Sequence, residues 1–342
     1  MFWFQLRIYM RISIRQVAER AGVSGATVSR VLNDVNVSIT EETRERVKGI
    51  AAEMGYHPNR VARALATGRT QAIGLWLVNF RSPYYTKLMY HNRKEAHIHG
   101  YNLMISGGRI EDYGALDSTK LMTWPVDGVL AVDIPRGETS GLVGSLLWGK
   151  PFVNMGGYVT DAADYVKLDF KDRATEAVLH LYEVGCRRIA YVAPDWFDWF
   201  EVSNDPRLRG YQAAMDQMGC EPEYIITHNE VRRNTIPVVT EYIKQKGCPD
   251  GLFCFNDDMA IGSYRAVRDL GLRVPCDVAL VGCDGIEETD YLDPPLTTLE
   301  QPVDTMCEFA WHFMKERLED QSLPLQQVTV QPRLLIRGSS QR

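Results

Sequence analysis

Two sets of side chains in this sequence have types and spacings suited to recognition chemistry. The first lies in VSGATVSRVLN, residues 23–33, where Ser24, Thr27, Ser29, Arg30 and Asn33 ride on a short helix-forming run that opens with Gly25 and Ala26. Hydroxyls, an amide and a guanidinium on one helix suit phosphates and base edges, and an arginine can pair with O6 and N7 of guanine, worth about 1–3 kcal/mol of discrimination. Gly25 and Ala26 let the helix start lie close to bases yet offer no side-chain hydrogen bond, so reading falls on Arg30, with Thr27 and Ser29 assisting. The second set is dispersed: Tyr84, Tyr85, Asp169, Arg207, Asn256, Asp257 and Asp284. Carboxylates and a guanidinium fork bond adjacent hydroxyls of a polyol, and flat rings cover the apolar face of a sugar. Trp196, in PDWFDWF at 194–200, is a candidate for such a ring, or for core and dimer surface. Asp257, which opens DMAIGSYRAV, serves equally well as a helix cap.

The first set needs a small helical unit to carry it. Ser13 and Gln16 form a capping box for a helix with Val17, Ala18 and Ala21 inward; Gly22 ends it and Ser24 caps the next, whose inner face is Val28, Val31 and Leu32. The spacing of Ala18, Gly22 and Val28 is that of a helix-turn-helix, whose second helix enters the major groove. Thr40 caps a third helix with Val47, Ile50, Ala51 and Met54 at helical spacing and Gly55 at its end. NRVARALA, residues 59–66, favours helix but is shorter than the roughly 12–15 residues that hold one alone in water. Bound DNA and a second copy would supply a template, with Asn59 and Arg60 at its start and Leu65 as a wedge in the minor groove; otherwise Leu65 packs on the third helix.

The second set needs a larger scaffold. From residue 70 onward short apolar runs such as AIGLWLVNF, GVLAVDI, RIAYVAP, GLFCFN and VALVGCD alternate with helical stretches, the signature of parallel sheets covered by helices on both faces. Such sheets bind ligands beyond the carboxyl ends of their strands, where the dispersed residues fall. The 342 residues exceed one core, so two or three folding units are expected. Charge is segregated: residues 11–69 carry ten Lys/Arg against six Asp/Glu, and residues 70–342 carry −11 of the overall −6. A basic head on an acidic body suits a polyanion partner for the head.

Other chemistries find little support. No run approaches the roughly 18 apolar residues of a membrane helix, and residues 1–11 read as an extension without a signal-peptide cleavage site. Seven cysteines without a C-x-x-C pair point to buried thiols in a reducing cytoplasm rather than disulfides or zinc. His91, His97 and His99 lack the spacing of a zinc-binding helix, and G-x-S-x-G is absent. No metal, cofactor or catalytic residue is expected. Cleft carboxylates could form a glycosidase pair, so a sugar-binding or sugar-processing protein with a dimerising N-terminal bundle is the alternative reading.

IRQVAERAGVSGATVSRVLN, TRERVKGIAAEMGYHPNRVARALATG, FNDDMAIGSYRAVRDLGLRVPCDVALVGCD and PPLTTLEQP, in that order, resemble the bacterial lactose-repressor/galactose-repressor family over essentially everything after residue 11. The resemblance implies a homodimeric transcription regulator, a pseudo-palindromic operator and a small-molecule effector. It implies a helix-turn-helix domain at 12–58, a hinge helix at 59–69 and an α/β effector-binding body at 70–342. That body would resemble periplasmic sugar-binding proteins, with one lobe from about 71–164 and 298–325 and another from about 165–297 and 326–339. It also implies that Arg207, Asn256 and Asp284 contact the effector, a sugar, sugar acid or sugar phosphate that changes the angle between lobes and so the spacing of the two hinge segments. Phe170, Gly285 and the adjacent Arg232 and Arg233 depart from the family pattern and bear on which ligand is taken.

Overall fold

The computed structural model describes residues 12–33, 38–56, 64, 67–107, 124–133, 150–195, 205–228 and 231–342. Two compact units, Met1–Thr70 and Gln71–Arg342, divide the chain.

The first unit holds α1 (Ile14–Ala21), α2 (Gly25–Leu32) and α3 (Glu41–Glu53). Local chemistry sets each boundary. Ser13 Oγ accepts from Gln16 N and Gln16 Oε1 from Ser13 N, at 3.4 and 2.8 Å. Gly22 adopts the left-handed conformation (φ +64°) that stops α1. Thr40 caps α3, and Gly55 (φ +65°) follows its last turn. Val17, Val28, Val31 and Val47 are fully buried, joined by Ala18, Ala21 and Ala51. Seven small side chains make a thin core, so the caps carry a large share of this unit's stability.

The second unit is built on two six-stranded sheets. In the first the order is β11 (Gln327–Val330), β5 (Asp164–Leu168), β4 (Phe152–Gly156), β3 (Gly128–Val132), β1 (Ala72–Leu77), β2 (Asn102–Gly107). In the second it is β12 (Arg333–Leu335), β10 (Thr297–Glu300), β9 (Ala279–Asp284), β8 (Gly251–Cys254), β6 (Ile189–Pro194), β7 (Glu223–Thr227). All described pairings are parallel except β10 with β12. Strands β3, β4, β6, β8 and β9 are buried along their whole length, as parallel strands covered on both faces must be.

Helices α4 (Pro83–Ile98) and α9 (Val303–Glu319) pack together on the first sheet, while α5 (Lys171–Glu183), α6 (Pro206–Met218), α7 (Arg232–Lys246) and α8 (Asp257–Asp269) belong with the second. Trp311 Nε1 donates to the buried Asn92 Oδ1 at 2.9 Å, tying α9 to α4. Arg317 forks onto Asp164 at 2.9 and 2.8 Å, tying α9 to β5.

The chain crosses between sheets three times, after β5, after β10 and after β11. The lobe bounds read from the sequence therefore shift. β5 (164–168) and β11 (327–330) belong to the first sheet, and β10 (297–300) to the second. Short runs such as TTLE and QVTV look alike whichever sheet they join; their partners, fixed by long-range pairing, decide it.

Candidate functional site

In the head, α2 presents the residues singled out for DNA. Ser24 Oγ accepts from Thr27 N at 3.1 Å and shares a hydrogen bond with the Thr27 hydroxyl at 2.9 Å. Asn33 Nδ2 donates to Ser29 O and Ser29 Oγ at 2.8 and 3.3 Å. Ala26 and Arg30 are exposed, and a Cβ on Gly25 would meet open space. Arg30 thus stands out as a long polar side chain with no hydrogen bond or ion pair among the described residues. Asn59, Arg60 and Leu65 lie outside the described residues, as does Trp196.

In the body, the strand ends of both sheets converge. Tyr84 and Tyr85 open α4, which Pro83 starts. Tyr85 Oη donates to Asp133 Oδ2 at 3.1 Å, and Gly157 N donates to Asp133 Oδ1 at 2.8 Å. Gly156 (φ +119°) makes that approach possible, because a Cβ there would run into the Asp133 carboxylate. From the second sheet, Arg207 at the start of α6 is 6% exposed. Its Nε and Nη2 reach Asp205 Oδ1 and Oδ2 at 3.3 and 3.2 Å, and Nη1 reaches the Phe255 carbonyl at 3.3 Å. Its guanidinium carbon lies 3.6 Å from the centroid of the Phe255 ring and 4.9 Å from that of Phe170.

Among the described residues, hydrogen bonds around Tyr158 and Ser82 bridge the lobes. Tyr158, after β4, donates to Asp205 Oδ2 at 2.6 Å, and Ser82, before α4, hydrogen-bonds Asp258 of α8.

Charge placement is uneven. Burial pushes the Asp205 carboxyl up, but Arg207 and the hydrogen bonds from Arg207 and Tyr158 outweigh it and hold it below the usual range. Asp133 is raised by burial despite its hydrogen bonds and Arg207. Asp284 is driven well above the usual carboxylate range by burial and by the neighbouring Asp257. It ends β9, and its Oδ1 accepts from Gln301 Nε2 at 2.7 Å. Tyr84, 4% exposed and facing the charges of Asp133 and Asp284, is kept neutral by burial first. Its hydroxyl and Gln301 Oε1 are buried without a hydrogen-bond partner. Such orphans are rare in folded proteins and ask for a missing partner.

Three of the expected contacts also make bonds within the fold. Asp257 is fully buried: Oδ1 accepts from the Thr298 hydroxyl at 2.7 Å, and Oδ2 from Gly285 N and Ile286 N at 2.7 and 3.0 Å. It clamps β9 to β10. Burial lifts it to about 6 in spite of those donors. Asp169 Oδ1 accepts from Lys171 N at 3.1 Å and so shapes the turn into α5. Asn256 caps α8 through Met259 N at 2.9 Å; its Nδ2 makes no hydrogen bond among the described residues. Conversely, the sequence reading passed over Asp133, Tyr158, Asp205, Phe170 as a ring under Arg207, and Gln301. Asp133 ends GVLAVD and meets the same strand-end rule that singled out Asp284; Asp205-Pro206 is a cap followed by an N1 proline. Gln301, in a crossover, carries no such signal.

Among the described residues no group of His, Cys, Asp and Glu could hold a metal ion, and no helix is long and apolar enough to cross a membrane.

Comparison with known proteins accounts for both halves. Residues 13–59 match the model of bacterial regulatory proteins of the lacI family, and residues 178–340 that of the periplasmic binding protein-like domain. The HTH-type transcriptional repressor PurR of Proteus mirabilis is 30% identical over 342 residues, covering 96% of each chain. A transcriptional regulator CelR–cellobiose complex is 27% identical with a TM-score of 0.69, covering 96% of this chain and all of that one. The lac repressor dimer bound to operator and the anti-inducer ONPF has the same fold, with a TM-score of 0.84 at 24% identity, over 96% of this chain and 99% of that one. A head of three capped helices, a two-sheet body and a relative this similar along its length place the chain in the lacI family of bacterial regulatory proteins.

Proposed function

We propose that this protein is a cytoplasmic, homodimeric repressor that binds a pseudo-palindromic operator and is controlled by a sugar-class molecule held between its two lobes. The observation that supports it is a pair of buried, unpartnered polar groups, Tyr84 Oη at the start of α4 and Gln301 Oε1 in the crossover after β10, in a chain that also carries a helix-turn-helix head. The regulator CelR, whose complex holds cellobiose, is a relative with the same two-part plan. Arg207 reads hydroxyls less than it builds the wall: it is fixed by Asp205 and sandwiched near two rings, giving a flat charged surface. Asn256 Nδ2, Asp284 and Tyr84 supply the directional contacts.

Ligand binding changes the lobe angle that Tyr158 and Ser82 span. In a dimer this changes the separation of the two 59–66 segments, and with it whether they fold together in the minor groove. No turnover is expected, since the cleft's carboxylates serve recognition. The test is fluorescence anisotropy of the full-length protein on duplex fragments from a genomic selection, with and without sugars, across salt. Sequence-selective binding that falls with salt and changes with one sugar is the expected result. Equal binding to every fragment, or hydrolysis of a glycoside, removes the reading.

A further inference from the structure

Among the described residues, the two guanidinium groups that reach the cluster, Arg207 and Arg232, are already matched. Arg207 is committed to Asp205, the Phe255 carbonyl and Tyr158. Arg232, half of the arginine pair that departs from the family pattern, is ion-paired with Asp258 and Glu288, while Arg233 is exposed. The cluster's remaining carboxylates are different. Asp133 is held by the amides of Gly157 and Tyr158 and the Tyr85 hydroxyl, and Asp284 by Gln301 Nε2. Neither makes an ion pair among the described residues. Both sit at positive φ, +53° and +133°, which non-glycine residues hold only where the surroundings fix them. Their aim is therefore built into the strand ends.

Beside one unmet donor, Asn256 Nδ2, the unmet groups around Asp284 ask for donors. Gln301 Oε1 can only accept, Asp284 when ionised can only accept, and the Tyr84 hydroxyl can do either. We infer that the cleft takes an uncharged or cationic polyhydroxy compound and rejects the acid and phosphate derivatives of the same sugar. The inference rests on the sugar-effector reading above and narrows it. Hydroxyls or an ammonium give Asp284 and Gln301 the donors they lack. A carboxylate or phosphate brings acceptors where Gln301 Oε1 needs a donor, and its charge makes ionising the buried Asp133 and Asp284 beside it costlier still.

The experiment uses the full-length protein and four-member sets of probes: glucose with glucosamine, glucuronate and glucose 6-phosphate, and the corresponding sets built on galactose and ribose. Thermal shift finds the sets that bind and titration calorimetry ranks their members. The expected result is binding confined to neutral and amino members, with the acid and phosphate at least about tenfold weaker. In Asp284→Asn the anionic members should recover relative to their parent, closing that gap several-fold. Tyr84→Phe, which keeps the volume and the fold, should weaken the neutral member about fivefold. An acid or phosphate that binds as tightly as its parent overturns this inference and leaves the sugar-effector reading standing. Silence from every set removes the sugar-effector reading itself, whatever DNA binding shows.

Discussion

Around α2 of the head, polar side chains bond to neighbours three or four residues away: Ser24 to Thr27, Asn33 to Ser29. In the cleft they bond across the chain: Tyr85 to Asp133 over 48 residues, Tyr158 to Asp205 over 47, Gln301 to Asp284 over 17. A locally bonded helix can present one free side chain, Arg30, without involving the fold. In a cluster assembled from six elements, removing a member that is bonded across the chain disturbs the packing of both lobes. Stability and recognition should therefore separate in the head and stay entangled in the cleft.

The largest test of that contrast is Arg207→Ala. It leaves Asp205 as an uncompensated buried carboxylate, which costs about 3–5 kcal/mol. Chemical denaturation should show the loss in the 71–342 transition, and ligand-induced thermal shifts should vanish with it. If ligand binding disappeared while stability stayed constant, cleft and fold would be separable after all.

Asp284→Asn probes the same entanglement with the opposite sign. A carboxyl whose folded pKa is raised favours the folded state below its unfolded pKa, near 3.9, and that contribution is lost as pH rises through the folded value. The ligand-free wild type should therefore weaken relative to the variant between about pH 4 and neutrality. The Asn variant should be the more stable at pH 7, with the difference shrinking toward pH 4. The carboxamide keeps the oxygen that accepts from Gln301. Removing the Asp284 charge also relieves Asp257, so the difference reads the interacting Asp257–Asp284 pair. Equal melting curves across that range would mean that the carboxyl is solvated or paired.

In the head, Arg30→Ala should leave the melting curve unchanged and relax preference at one base pair by about 1–3 kcal/mol, read by a randomised-site selection. An unaltered motif would move base reading elsewhere.

The same contrast explains what was legible in the sequence. The caps at Ser13, Ser24 and Thr40 and the turn at Gly22 follow from residues within four positions, and the alternating pattern fixed the α/β class. The internal bonds of Asp257 and Asp169 were not legible, because a carboxylate that shapes a turn or clamps a strand has the same local signature as one that waits for a ligand. Asp133 was visible by the strand-end rule and passed over. Gln301 and the Tyr158–Asp205 bridge exist only once the three crossings bring the lobes together. The lobe bounds failed at β5, β10 and β11 for the same reason, since strand partners are chosen at long range.

The smallest expected effect, Ser24→Ala, tests the local side of the comparison most cleanly. Ser24 Oγ satisfies one of the unpaired amides at the start of α2, Thr27 N, and holds the Thr27 hydroxyl. Its loss should cost about 0.5–2 kcal/mol, a visible share of the stability of a unit whose core is seven small side chains. Because the bonds it removes stay within α2, the transition of the 71–342 unit and its ligand shift should not move. Operator affinity should fall only as far as the folded fraction of the head falls, with base preference at the Arg30 position retained. Glycine at the same position should cost only a few tenths, since its backbone can be solvated there. If alanine changed the ligand response, the head would not be encoded within its own short-range bonds, and the separation of recognition from fold in this half of the molecule would fail.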